Sequence, residues 1–171
     1  GPLGRIAGAL SPQAGAQAVP VAASSWHRPA HALVALSRVA PEAARAMALQ
    51  GAEMLLYPTA IGSEPFQPEH DSQPHWEMAM RGHAAANIMP VAASNRIGRE
   101  EQQRREVTFY GSSFISDQTG QLAAKASRDG AEVVTATFDL DAVADLRRTW
   151  GVFRDRRVDL FGSLQTRDGR T

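Results

Sequence analysis

Alternating helical and strand-like segments from Pro41 onward predict a layered α/β fold. Two apolar runs, Met54 to Pro58 and Ile88 to Ala93, are short and continuous enough for strands buried on both faces, and each follows a segment with apolar residues at helical spacing. After residue 112, short segments separated by turn residues suggest antiparallel strands. A chain of 171 residues holds one domain with a sizeable core and is too short for two comfortable ones.

The first helix begins at Pro41, whose missing N–H is not needed in a first turn, and Ala43, Ala44, Met47 and Ala48 gather on one side before Gly51 ends it. Gly62 to Gln73 is polar, contains prolines and reads as a long loop. Trp76, Ala79, Met80, His83, Ala84 and Asn87 define the buried stripe of a second helix, and Ile88 to Ala93 follows as a strand weakened by Pro90. The charged stretch Gly98 to Glu106 is expected to be a solvated loop. Ser113 to Ser116, Gln121 to Ala126 and Glu132 to Asp139 then predict an antiparallel meander, and Asp141 caps a last helix that stops at Gly151.

Composition excludes several function classes. Apolar residues at 43% and charged residues at 21% match an ordinary globular protein, which argues against wholesale disorder. Eighteen basic and eighteen acidic residues cancel, so no global field draws the chain to nucleic acid or acidic lipid. No run approaches the roughly 18 apolar residues of a membrane span, and a cytoplasmic setting is the expectation. There is no cysteine, so disulfides, thiolate metal sites and a cysteine nucleophile are excluded within these residues. The sequence opens on Gly rather than Met, and the expectation is a processed, tagged or incomplete product, or a partial reading frame.

Residues 1 to about 40 stand apart. Ala, Pro, Gly, Ser and Val dominate there, and the segment is expected to be low in complexity and poorly ordered. Within it, Pro29 to Val39 suits a strand or a short helix equally.

Five segments resemble the nitrilase superfamily of carbon–nitrogen hydrolases, in the order in which that family carries them: PEAARAMALQGAE from Pro41, YPTAIGSEP from Tyr57, GHAAANIMPVAASNRIG from Gly82, TFYGSSFISDQTG from Thr108 and WGVFRDRRVDL from Trp150. YPTAIGSEP and WGVFRDRR are most similar to the carbamoylputrescine amidase branch. The resemblance implies an αββα sandwich of which residues 41–171 would be the C-terminal part, about half of the full domain. It also implies a small-molecule ureido or amide substrate, a homo-oligomer, and neither a metal nor an organic cofactor. In the family a cysteine attacks the carbonyl carbon, a glutamate acts as base and a lysine stabilises the oxyanion. That cysteine sits in an elbow like ICWDQWFPE, before the helix that starts here at Pro41, and its position falls on Ala35. Gly4–Arg5–Ile6 echoes the start of the strand leading into the elbow, but 34 residues separate Ile6 from Pro41, far more than the family has. The glutamate and lysine motifs, which precede the elbow in the family, have no counterpart in this sequence, so no catalytic residue is assigned.

Substrate-binding candidates follow from placement. Thr59, Ala60, Ile61 and Gly62 leave the end of a buried strand, where open α/β sheets form crevices, and are expected to line the pocket. A substrate with a free ammonium needs a carboxylate, and Glu64 lies in the same family-like segment. Ser94 and Asn95 end the next strand on the same expected edge, where they would orient substrate or elbow, or simply hold a turn. His70, His75 and His83 lack the spacing of a metal site. Arg154, Arg156 and Arg157, interrupted by Asp155 and Asp159, read as structural pairing rather than a nucleic-acid patch. Ser112 and Ser113 lack the elbow of a serine hydrolase. With the neighbouring strands missing, apolar faces around Met54 to Tyr57 and Ile88 to Ala93 are expected to be exposed and to drive aggregation.

Overall fold

The computed structural model describes residues 40–67, 69–102, 105–168 and 170, and before them three backbone strands, 4–9, 21–23 and 31–34. In chain order the elements are β1 (Gly4–Ala9), β2 (Val21–Ala23), β3 (His31–Val34), α1 (Pro41–Leu49), β4 (Ala52–Thr59), α2 (Gln73–Asn87) and β5 (Val91–Asn95). They continue as β6 (Ile97–Gln102), β7 (Arg105–Tyr110), β8 (Phe114–Ser116), β9 (Leu122–Lys125), β10 (Val133–Phe138) and α3 (Leu140–Trp150), followed by two short 3-10 turns. Position 35, where the family's cysteine would fall, lies outside the described residues.

One sheet has the order β3-β4-β5-β8-β9, with β3, β4 and β5 parallel and the last two strands antiparallel. A second sheet, β10-β1-β2, is antiparallel throughout. The segment before Pro41 thus contributes strands to both sheets. Side-chain alternation divides the core in two. Leu55, Tyr57, Val91, Ala93 and Phe114 face Ala44, Ala48, Trp76, Met80 and Ala84 of the two helices, while Met54, Leu56, Ala92 and Ile115 meet Val134, Ala136 and Phe138 of β10. Helix layer, sheet and second sheet are three consecutive layers of an αββα sandwich.

This packing corrects one expectation directly. The apolar strands around Met54–Tyr57 and Ile88–Ala93 are not exposed: Met54, Leu55, Tyr57, Ile88, Val91 and Ala93 are buried, because helices cover one face and β10 the other. Pro90 precedes β5 rather than lying inside it, and its carbonyl accepts from Leu55 N at 3.1 Å. The charged stretch 98–106 is no loop but part of the β6–β7 hairpin, joined by an Arg99–Glu106 ion pair. Its residues 98–101 and 106 are exposed, and only Phe109 and Tyr110 at the end of β7 reach core, so alternating hydrophobicity never marked the charged part. The expected meander is real only for β8 and β9, because β10 crosses to pair with β1. Its alternating apolar residues suit either sheet. The cap of α3 is Asp139, whose Oδ1 accepts from Ala142 N at 3.0 Å, while Asp141 sits in the first turn.

The C-terminal end of α2 is held from outside. Ile88 adopts a left-handed conformation at φ 48°, and the helix has no basic residue in its last turn. Arg45 of α1 donates to Ala86 O at 2.7 Å and Arg147 of α3 to Ile88 O at 3.0 Å, so both cations meet the negative end of the helix. Burial lowers both guanidinium pKa values, with further depression from Arg156 at Arg45 and from Arg45 at Arg147.

Candidate functional site

Because β4 and β5 run parallel, their C-terminal ends share one edge of the sheet, and the register sets Thr59 opposite Asn95 and Pro58 opposite Ser94. In open α/β sheets this is the edge where binding crevices form. The fold therefore brings together Thr59, Ala60, Ile61, Gly62, Ser94 and Asn95. Ala60 is exposed, Thr59 and Ile61 are half-buried, and Ile61 packs against the helix-side core. Ser94 is half-buried and, by alternation, points to the opposite face from Asn95.

Asn95 is buried and its carboxamide is occupied by the protein itself. Its Oδ1 accepts from Ile61 N at 2.9 Å and from Thr59 Oγ1 at 3.0 Å, the threonine sharing its one hydrogen with Ser94 O at 2.8 Å. Its Nδ2 donates to Ile61 O and Gly111 O, each at 2.9 Å. Two donated hydrogens and two accepted bonds use the full capacity of the amide. The main chain of Asn95 is held too, its N donating to Ser113 Oγ at 2.9 Å and its carbonyl accepting from that hydroxyl at 3.3 Å. Asn95 thus spends its side-chain hydrogen bonds within the protein.

Gly62 continues the wall onto the hairpin. It bridges to Phe109, and a Cβ there would overlap the Thr108 carbonyl. Next to it, Ser63 N donates to Thr108 O at 2.8 Å and Thr108 N to Ser63 Oγ at 3.0 Å. Glu64 is half-buried at the start of a turn in which its carbonyl accepts from Gln67 N at 3.0 Å. Among the described residues, no hydrogen bond or ion pair joins the Glu64 carboxylate to the 59–62 and 94–95 cluster.

Sequence reasoning missed the turn Gly111–Ser113, which closes the other side. Gly111 and Ser112 both have positive φ, 51° and 57°, and Ser112 is buried. Ser112 donates its N–H to Ser127 O at 2.9 Å and its hydroxyl to Tyr110 O at 2.9 Å. A side chain at Gly111 would strike the Arg128 carbonyl. Arg128 in turn forms a two-pronged ion pair with Asp71, at 2.8 and 2.9 Å, so the loop before α2 is tied to the same turn. The available signal was a Gly–Ser–Ser run ending a strand, where small residues permit left-handed backbone.

Two polar groups lie below this edge. The Tyr57 hydroxyl and His83 Nδ1 are 2.9 Å apart in the helix-side core, where burial pushes the tyrosine up to about 12 and the histidine below its ordinary value. Glu77 receives Lys125 Nζ at 2.6 Å and Gln73 Nε2 at 2.9 Å; burial opposes its ionisation, but these bonds outweigh it and hold its pKa low. Among the described residues, no group of three His, Asp or Glu is arranged to hold a metal ion. Arg154 pairs with Asp155 and Arg157 with Asp159. Ser113 is engaged with Asn95 and Ser112 with Tyr110 O, and neither has a histidine beside it among the described contacts.

Residues 10–148 match the model of the carbon–nitrogen hydrolase family. The chain belongs to that family. The match begins well before Pro41, within the segment that sequence reading set apart. Over 133 residues the chain is 55% identical to N-carbamoylputrescine amidase of Arabidopsis thaliana, covering 75% of this chain and 44% of the relative. It is also 55% identical over 124 residues to citrullinase of Francisella tularensis subsp. tularensis, covering 72% of this chain and 43% of that one. Among solved structures, a carbon–nitrogen hydrolase from Helicobacter pylori G27 superposes with a TM-score of 0.70 at 40% identity, covering 80% of this chain and 48% of the other. The chain thus spans less than half the length of the curated relatives it matches.

Proposed function

We propose that this member of the carbon–nitrogen hydrolase family is the C-terminal part of an amidase for terminal ureido compounds, and that it is inactive by itself. N-carbamoylputrescine is the favoured substrate of the whole enzyme, which would work in the cytoplasm in polyamine synthesis. Water and the ureido group would then yield putrescine, carbon dioxide and ammonia. The observation that carries the reading is the meeting of Thr59–Gly62 with Ser94 and Asn95 at one sheet edge, in a chain 55% identical to an N-carbamoylputrescine amidase.

The roles divide along the chain. Residues 59–62 form the wall against which the substrate lies, and Glu64 receives the ammonium at the far end of the alkyl chain. The covalent step requires a thiolate, and none of the 171 residues is cysteine. Ammonia release from N-carbamoylputrescine tests this directly: the chain alone gives no release above buffer, and turnover would overturn the assignment of inactivity. An in-frame elbow cysteine, with glutamate and lysine motifs, in the coding sequence upstream of Gly1 would support a partial record of an active enzyme.

A second reading is a catalytically dead homologue acting through self-association or partner binding. The missing cysteine and the exposed Trp150, Leu160 and Leu164 favour it. A third keeps the chemistry and changes the substrate, and the equal identity to a citrullinase supports it. Citrulline carries a carboxylate beside its ammonium, so a citrulline site needs a cation near Glu64 that an N-carbamoylputrescine site does not. Competition between the two compounds for the chain separates these substrates.

A further inference from the structure

We infer that Asn95 is the positioning residue of the substrate wall, a clamp that fixes the main chain of Thr59–Gly62 against the strained Gly111–Ser113 turn. Its link to substrate rests on the proposed function, whereas the clamp itself stands on the geometry alone. A buried primary amide with all four of its hydrogen bonds inside the protein is a rigid coupler. Here those bonds reach three places at once: the side chain that ends β4, both polar atoms of Ile61, and the carbonyl of Gly111. Asn95 itself is pinned by Ser113 on both sides of its own peptide unit.

The turn it grips stores strain. Ser112 holds a positive φ that a residue with a Cβ adopts only when its surroundings impose it. Hydrogen bonds from Ser112 to Ser127 and Tyr110, and from Ala126 N to Ser113 O at 2.8 Å, supply that imposition. The wall on the far side is similarly committed, since Gly62 leaves no room for a Cβ beside Thr108. Two loops from distant parts of the chain thus meet through one carboxamide, which sets their spacing. Asn95 touches no reacting atom in this scheme and acts through the backbone it holds.

The variant that isolates this role is Asn95→Asp, nearly identical in volume. Its carboxylate would face the carbonyl oxygens of Ile61 and Gly111, which repel it and, with burial, raise its pKa above the ordinary range. Once protonated, the group again donates one hydrogen bond and accepts others. Hydrogen exchange on the full chain should therefore show peptides spanning 60–64 and 111–114 opening at least about tenfold faster in N95D than in wild type at pH 8, with most of that difference lost at pH 5, after correction for intrinsic rates. Asn95→Ala should open the same two peptides at both pH values, while peptides in the middle of β4 stay protected. Val143→Ala, a core truncation in α3, serves as the comparison that destabilises without touching the clamp.

Exchange that rises equally over the whole chain in N95D, or that shows no pH dependence, would overturn the inference. The same variants are titrated with N-carbamoylputrescine, with weaker binding in N95D at pH 8 recovered at pH 5. If the wild-type chain takes up none of that compound, the substrate reading fails and exchange alone decides the clamp.

Discussion

At Gly62 a hydrogen is all that fits between the loop and the Thr108 carbonyl. Gly62→Ala should lower stability by about 2 kcal/mol in urea unfolding, because backbone on both sides must move. Tyr57 illustrates the opposite problem, a polar group whose removal harms its partner. Tyr57→Phe leaves His83 Nδ1 buried and unbonded, at a cost of about 1–2 kcal/mol. His83 also links folding to pH. Its folded pKa lies below 6.5, so the unfolded chain takes up the proton more readily, and the stability this gives is complete above that pH and declines as pH falls below it. His83→Gln should flatten that part of the acid limb in stability measured against pH.

Among the elements, α2 is fastened by charge to β9 and to the turn that leads into it. Lys125 of β9 and Gln73 hold Glu77, and Arg81 donates to Gly120 O at 2.7 Å. The carboxyl of Glu77 titrates below its ordinary 4.5, so its contribution is present above that value and is lost as pH falls through the lower folded one. Lys125→Met should weaken this acid dependence, since Gln73 and Arg81 still bond the carboxylate, and cost about 1 kcal/mol at neutral pH, read from denaturant midpoints. How legible such elements are depends on which face they bury. α1 and α2 were readable because each turns a periodic apolar stripe to the core, and β4 because it is a short continuous apolar run. The β6–β7 hairpin was not, since Arg99 pairs with Glu106 and Arg96 with Glu100 along an exposed ribbon whose polarity mimics a loop. The candidate wall was legible at Thr59–Gly62 from its place after a buried strand, whereas Gly111–Ser113 carried only a run of small residues.

Across the described residues, Phe66 and Met78 are exposed singly, whereas several exposed apolar side chains follow one another closely from the end of α3 into the tail. Trp150, Val158, Leu160 and Leu164 are all more than half exposed, at 69%, 65%, 63% and 59%. The chain should therefore self-associate through its tail, and replacing Leu160 and Leu164 together by Lys should shift sedimentation toward monomer. A monomer at every concentration before substitution would count against both the tail as an interface and the homo-oligomer expected from the family resemblance.

Sequence alone determined the order of helices and buried strands from Pro41, the family resemblance carried by its five segments, and the lack of a cysteine nucleophile. These are local or compositional properties, written in spacing and residue type. Tertiary structure alone decided that β10 leaves its neighbours to pair with β1 and covers the second face of the apolar strands, and that Asn95 spends its amide on the protein. Each of those depends on which distant residue arrives opposite, and an alternating strand or a polar side chain looks the same in sequence whichever partner it finds.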